Sequence, residues 1–287
     1  MRALSVVTLV AVLIVAAPVA AQEVLSLQVF PVVARGPGAS GTQWVTDLVV
    51  MNPMAEAIEV GLQFFPADQD NMFNPLFPLR ISLQPGETVI VEDVLLNQFG
   101  LDEAAMGGLG VVASEDYILG NPEDTVICAV TRTYNVGSAL GTYGQTVPSL
   151  LVNLNVGWEP SMIVGARNDD DFRSNLGIMN TSPMAPILVH FRIKDHTGAV
   201  LVEDEKTIRV ASMNQWSFQS LGIGTTDGPL TVELWLDPSS MSAEPCEEDL
   251  PNGFVAYVSK VDNGTGDAEF LIGAAMAPYY CGVNPDD

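Results

Sequence analysis

The chain has 287 residues, 48% of them hydrophobic and 16% charged, with 11 Lys and Arg against 35 Asp and Glu and a formal net charge of −24. That hydrophobicity excludes a disordered chain, and the acidic excess argues against nucleic acid or an anionic membrane surface as a partner, since both call for clustered Lys and Arg. The length suffices for one large core or two ordinary ones.

Met1 and Arg2 form a short basic start, Leu4 to Ala17 is an apolar run, and Val19 and Ala21 put small residues ahead of a cut after Ala21. This is the pattern of a cleaved signal peptide over residues 1–21, too short and wrongly flanked for a membrane anchor. No later apolar run has the length of a membrane span. The mature chain is therefore expected outside the cytoplasm, secreted or at the cell surface, where disulfides form.

From Trp44 onward the pattern alternates. Trp44, Thr46, Leu48 and Val50 share one face and Val45, Asp47 and Val49 the other. Ile58, Val60, Leu62 and Phe64 alternate with Glu59, Gly61 and Gln63. Val94 to Met106 has the one helix-like composition. Val126, Cys128 and Val130 then read as the inward face of a strand, with Cys128 as a small buried thiol. An apolar segment around Pro148 to Pro160 separates these runs from a second series. There Phe172, Ser174, Leu176 and Ile178 stand opposite Arg173, Asn175 and Gly177, and Ile187, Val189, Phe191 and Ile193 opposite His190, Arg192 and Lys194. Leu230, Val232 and Leu234 alternate with Thr231, Glu233 and Trp235. Period-two alternation with one polar face means sheets covered on one side, and two such sheets hide their apolar faces by packing together.

The two series resemble each other. Trp44–Asn52 matches Phe172–Asn180 at an offset of 128, and Val126–Asn135 matches Phe254–Asn263 at the same offset. Upstream, Ala34-Arg35 matches Ala166-Arg167. A repeat of that length is a whole domain rather than a solenoid unit. The expected organisation is all-β: residues 1–21 as signal peptide, 22–150 as one β-sandwich domain and 151–287 as a second. The segments GTQWVTDLVVMNP and FRSNLGIMN, each followed by AVTRTYN or AYVSKVDN, resemble tandem immunoglobulin-like domains of uncharacterised exported bacterial proteins. The resemblance implies fold, and it brings no catalytic residues with it.

Candidate chemistry is sparse. His190 and His196 match no zinc spacing, and no Gly-x-Ser-x-Gly elbow, Walker loop or dinucleotide fingerprint occurs. No cofactor is expected beyond calcium, for which Asp169, Asp170 and Asp171 could supply oxygens; a solvated acidic loop is the favoured reading of the three. Cys246 and Cys281 are the candidate disulfide, closing a loop at the C-terminal end. Trp44 and Trp216 fall on core positions, whereas Trp235 faces outward and Trp158 lies in the junction, so these last two are the candidate binding platforms. The function expected is a non-enzymatic extracellular interaction, adhesion or structural protein. Its partner is a protein or a polysaccharide, and self-association is open to it. The alternatives are a carbohydrate-binding protein using an exposed Trp and a subunit of an extracellular filament.

Overall fold

The computed structural model describes residues 26–71, 79–113, 125–139, 141–149, 160–240 and 253–275. The signal-peptide segment, most of the junction segment, Trp158, Cys246 and Cys281 lie outside the described residues. The chain is nearly all-β, as the alternation implies. Its strands are β1 (Leu27–Pro37), β2 (Gln43–Met51), β3 (Ile58–Pro66), β4 (Leu79–Leu83), β5 (Thr88–Val91), β6 (Ala105–Val112), β7 (Cys128–Asn135) and β8 (Tyr143–Pro148), then β9 (Ser161–Ala166), β10 (Phe172–Asn180), β11 (Ile187–Lys194), β12 (Val200–Ile208), β13 (Met213–Ser217), β14 (Leu230–Leu236), β15 (Phe254–Asp262), β16 (Ala268–Ile272) and β17 (Ala274–Ala275). No helix among the described residues is long and apolar enough to cross a membrane.

The helix expected over Val94–Met106 is cut short. Helix α1 spans only Val94–Asn97. Gly100, at φ 68, takes the left-handed conformation, and the amides of Gly100 and Leu101 return to the carbonyls of Leu96 and Leu95. That left-handed cap satisfies carbonyls of the last turn and ends the helix, and β6 takes over at Ala105.

The strand order is written twice. One N-terminal layer runs β4-β3-β6-β1, and the other holds β2 between β5 and β7, with β8 beyond β7. The C-terminal layers run β12-β11-β14-β9, with β17 added, and β13-β10-β15-β16. Apart from β17, each C-terminal strand sits where the strand eight earlier sits in the first set. In the N-terminal set β1 pairs with β6 up to Arg35 and then with β2 through Gly36 and Pro37, so it crosses from one layer to the other. Each pair of layers encloses its own core. Phe30, Leu48, Leu62 and Leu109 belong to the first. Leu176, Phe191, Leu234 and Val258 belong to the second.

Cross-strand register corrects the sequence alignment in β7. Trp44 stands opposite Asn135, and its equivalent Phe172 stands opposite Asp262. The offset in this strand is therefore 127 rather than 128, and a slip of one residue reverses every side chain. Ile127 and Ala129 point into the core, matching Phe254 and Ala256. Cys128 and Val130 face away from it, and Cys128 is half-buried with its thiol pKa raised by desolvation. Among the described residues Cys128 is free.

Two polar devices recur at equivalent places. Asn52 and Asn180 are both fully buried. The Asn52 amide donates to the carbonyls of Glu56, Leu83 and Gln84 while its oxygen accepts from the Met54 amide. Asn180 does the same with Ala185, Ile208, Arg209 and the Ser182 amide. The Thr46 hydroxyl accepts from the Ala34 amide and donates to its carbonyl, and Ser174 binds Arg167 likewise. Ala34 is thus equivalent to Arg167, one residue from the alignment read in the sequence. These contacts give side-chain partners to backbone groups at strand ends, crossings and the loops beside them.

A third apolar cluster joins the two halves. Val29, Val32 and Val147 from the first meet Met179, Met213, Val255 and Tyr257 from the second. Tyr257 is fully buried, stacks on Phe270 at 4.8 Å and donates to Gln215 Oε1 at 2.9 Å. Two glycines permit this contact. A Cβ at Gly177 would overlap the Tyr257 ring, and one at Gly108 would stand 2.7 Å from Met179 Cε. Hydrogen bonds flank the cluster: the Asp68 amide to the Met213 carbonyl at 3.1 Å, Asn71 Nδ2 to the Ala211 carbonyl at 2.9 Å, and Ser259 Oγ to Gln145 Oε1 at 3.0 Å.

Candidate functional site

The outer face of the β13-β10-β15 sheet changes character along its length. At one end it carries Met179, Met213, Val255 and Tyr257, all buried against the first half. Two to six residues away along the same strands, alternation brings Arg173, Asn175, Gln215, Ser217 and Ser259 to that same face. Apolar surface closes against its partner because burial removes it from water. The polar end has no such drive, and there the two halves part.

The gap is a cleft of about 990 Å³. Its second wall comes from the first half, where the end of β1, Trp44 at the start of β2, Met106 and Gln145 line it. This volume stands at the upper end of the range of about 300–1,000 Å³ typical of ligand sites. The polar part of the lining is mostly neutral amides and hydroxyls, beside a comparable apolar part that includes two equivalent aromatic residues, Trp44 and Phe172, contributed one by each half.

Charge at the cleft is mostly matched. Arg35 pairs with Asp93 at 3.0 Å, and Arg167 pairs with Asp169 at 2.8 Å. Arg173 differs: its Nη1 donates to the neutral Asn263 Oδ1 at 2.9 Å, and no carboxylate of the described residues forms an ion pair with it. Burial pushes its pKa down, with the nearby Asp262 acting in the opposite direction. The aromatic rings differ in the same way. Phe172 lies under the cations of Arg167 and Lys260, whereas no ring or cation of the described residues stacks on Trp44.

The sequence-predicted residues lie elsewhere or at the rim. Asp169 borders the cleft, but its carboxylate caps its own loop, accepting from the amides of Asp171 and Phe172. The carbonyls of Asp169 and Asp170 accept from Asn263. No three His, Cys, Asp or Glu side chains of the described residues gather into a metal-holding group, so Asp169, Asp170 and Asp171 do not form one. Trp235 does face outward on β14, in the other sheet of its half from the cleft face, but its ring is occupied. His190 stacks on it at 5.6 Å, and the Arg192 guanidinium lies 5.4 Å from its centre. Trp216 packs against the second core as expected. Trp44 does not: it belongs to no core cluster and opens on the cleft. It stands at the first position of its alternating face, where β2 has run past the opposing layer. The missed signal was the mixed face of β10, polar at Arg173 and Asn175 and apolar at Met179.

His190 holds a separate charged ladder on the outer face of β11, β12 and β14. Its Nε2 meets Asp237 at 2.7 Å and its Nδ1 meets Glu205 at 3.3 Å. Asp237 is held at about 2, below the usual carboxylate range, first by the His190 hydrogen bond and then by the Ser239 hydroxyl and amide. A depressed carboxyl pKa contributes stability above the unfolded value of about 3.9, and that stability is lost as pH falls through about 2. In a His190→Ala variant the Asp237 carboxyl should titrate nearer its ordinary value, so the pH-linked contribution is smaller and its loss is complete at a higher pH. Carboxyl ¹³C NMR titration reads this directly. An unchanged Asp237 titration would show that the imidazole does not hold it.

Comparison with known proteins finds no matching family model, no matching curated protein and no matching solved structure.

Proposed function

We propose that this chain is an exported, non-enzymatic binding protein of two tandem immunoglobulin-like β-sandwiches, and that its ligand lodges between them. The observation that carries the reading is the cleft of about 990 Å³ built jointly from both halves, with polar groups on both walls and an apolar contact at one end. Pockets of this size with a few convergent polar groups and an open aromatic ring are the usual form of a ligand site. Strand edges serve binding less well here. β8 and β16 lie against one another across the junction, where the Gly144 amide donates to Asp267, and β12 carries Glu203, Asp204 and Glu205. Charged edges resist pairing with another chain. Export rests on the Met1–Ala21 pattern.

The test is a cleft-blocking substitution. Ser217 is exposed and borders the cleft, so Ser217→Trp adds bulk there without entering a core. The full chain, probed on glycan and peptide arrays, should bind at least one class of ligand. The variant should lose that binding at least about tenfold with an unchanged melting temperature. Equal binding by both proteins, or no binding by the wild type on either array, would overturn the proposal.

A further inference from the structure

We infer that the cleft takes an acidic oligosaccharide, a chain of uronic-acid type. Its carboxylate would bind the Arg173 guanidinium, its hydroxyls the amides of Asn175, Gln215 and Gln145, and a ring face Trp44. This rests on the cleft being the binding site and adds the chemical class of the ligand.

Three observations converge on that class. The first is Arg173, a cation at the cleft with no ion-pair partner among the described residues in a chain with net charge −24. The neighbouring arginines Arg35 and Arg167 each have a carboxylate. A guanidinium partly withdrawn from water gains most from a planar anion, because its fork matches two carboxylate oxygens at once. Burial lowers its pKa by more than the nearby Asp262 raises it. At physiological salt the screening length of about 8 Å keeps most of the distant acidic surface from opposing an anion there.

The second observation is the set of side-chain amides. Asn175, Gln215 and Gln145 line the same cleft. Each amide offers a donor and an acceptor side by side, which suits a pair of adjacent ring hydroxyls. Gln215 accepts from Tyr257 and Gln145 accepts from Ser259, so both are held in position with their amide nitrogens left to donate. The third is Trp44, half-buried and unstacked, whose flat apolar face can receive the C–H face of a sugar ring. A metabolite carboxylate would use only the first of these features. A peptide would offer no array of adjacent hydroxyls to the amides of Asn175, Gln215 and Gln145.

The repeat supplies a control. The position equivalent to Arg173 in the first half is Val45, so the same backbone position carries an uncharged side chain in one copy. An Arg173→Gln variant should therefore fold, with Arg173→Lys as a charge-retaining companion.

Binding to polygalacturonate, to the same polymer with its carboxyls reduced, and to a neutral xylan is measured by affinity electrophoresis and calorimetry at fixed salt. The wild-type chain is expected to bind polygalacturonate. It should bind the reduced polymer and the xylan at least about tenfold more weakly, the worth of one charge-assisted contact. Arg173→Gln should lose that preference, Arg173→Lys should keep part of it, and Trp44→Ala should weaken all sugar binding.

The inference is overturned if Arg173→Gln binds polygalacturonate like the wild type, if the reduced polymer binds equally well, or if the wild type binds none of these polymers. The cleft itself fails as the site only if Ser217→Trp leaves binding intact. Loss in Ser217→Trp without loss in Arg173→Gln therefore rejects the acidic class and keeps the cleft.

Discussion

Replacing Tyr257 by Ala is expected to cost about 3–5 kcal/mol, as for other large aromatic truncations in a packed interior. Among the described residues Tyr257 is the largest fully buried side chain, and it belongs to the cluster that joins the halves. Its removal leaves a void between Gly177 and Phe270 and strips Gln215 of its hydrogen-bond donor. The two layered cores contain none of these atoms and should survive. Calorimetry of the variant should therefore resolve two transitions, one for each half. Tyr257→Phe keeps the ring and removes only the hydroxyl, so it should cost about 1 kcal/mol. An alanine variant that melts in one transition within 1 kcal/mol of the wild type would show that the halves do not depend on this contact.

The paired asparagines make the second large effect. Asn52→Ala removes an amide that serves three carbonyls and one backbone N–H in a fully buried place. Unpaired buried groups cost about 1–3 kcal/mol each, so a loss on the order of 3 kcal/mol or more is expected. Asn180→Ala should cost nearly the same, because the four contacts are reproduced around it. Asp at either position cannot donate and should be no better than Ala. Urea unfolding with an unchanged denaturant slope is the measurement. A marked inequality between the two sites would mean that equivalent geometry does not carry equivalent energy.

Much of the fold was legible because burial on one side imposes a period of two. Leu48, Val60, Phe191 and Leu234 lie inside as their alternation implies. The repeat was legible in Trp44–Asn52 and Phe172–Asn180, where β2 and β10 keep one register. It misled in β7, whose runs Ile127-Cys128-Ala129-Val130 and Phe254-Val255-Ala256-Tyr257 are apolar on both faces and so align almost equally well one residue apart. In the second half both faces of β15 are buried, one by its own core and one by the neighbouring half. The cleft was not legible for a related reason. It belongs to neither copy but to their contact, and no period along one chain segment encodes which outward face another segment will cover. Arg173 and Asn175 were placed on the outward face, which is correct, but nothing local distinguishes them from side chains facing open solvent.

A molecule that carries one strand order twice faces a hazard while it folds, since a strand of one copy can insert into the vacant place in the other. The outer charges of β4 and β12 oppose that exchange. Arg80 stands opposite Gly61 in the first set, and at the equivalent place Glu205 stands opposite His190 beside Arg192. Were β4 to enter the second sheet, Arg80 would sit among His190, Arg192 and Lys194. Were β12 to enter the first, Glu205 would sit beside Glu59 with no arginine to meet it. Like charges set side by side on a sheet are unfavourable, so the acidic and basic rows that colour the two outer faces sort newly made strands into their own copy.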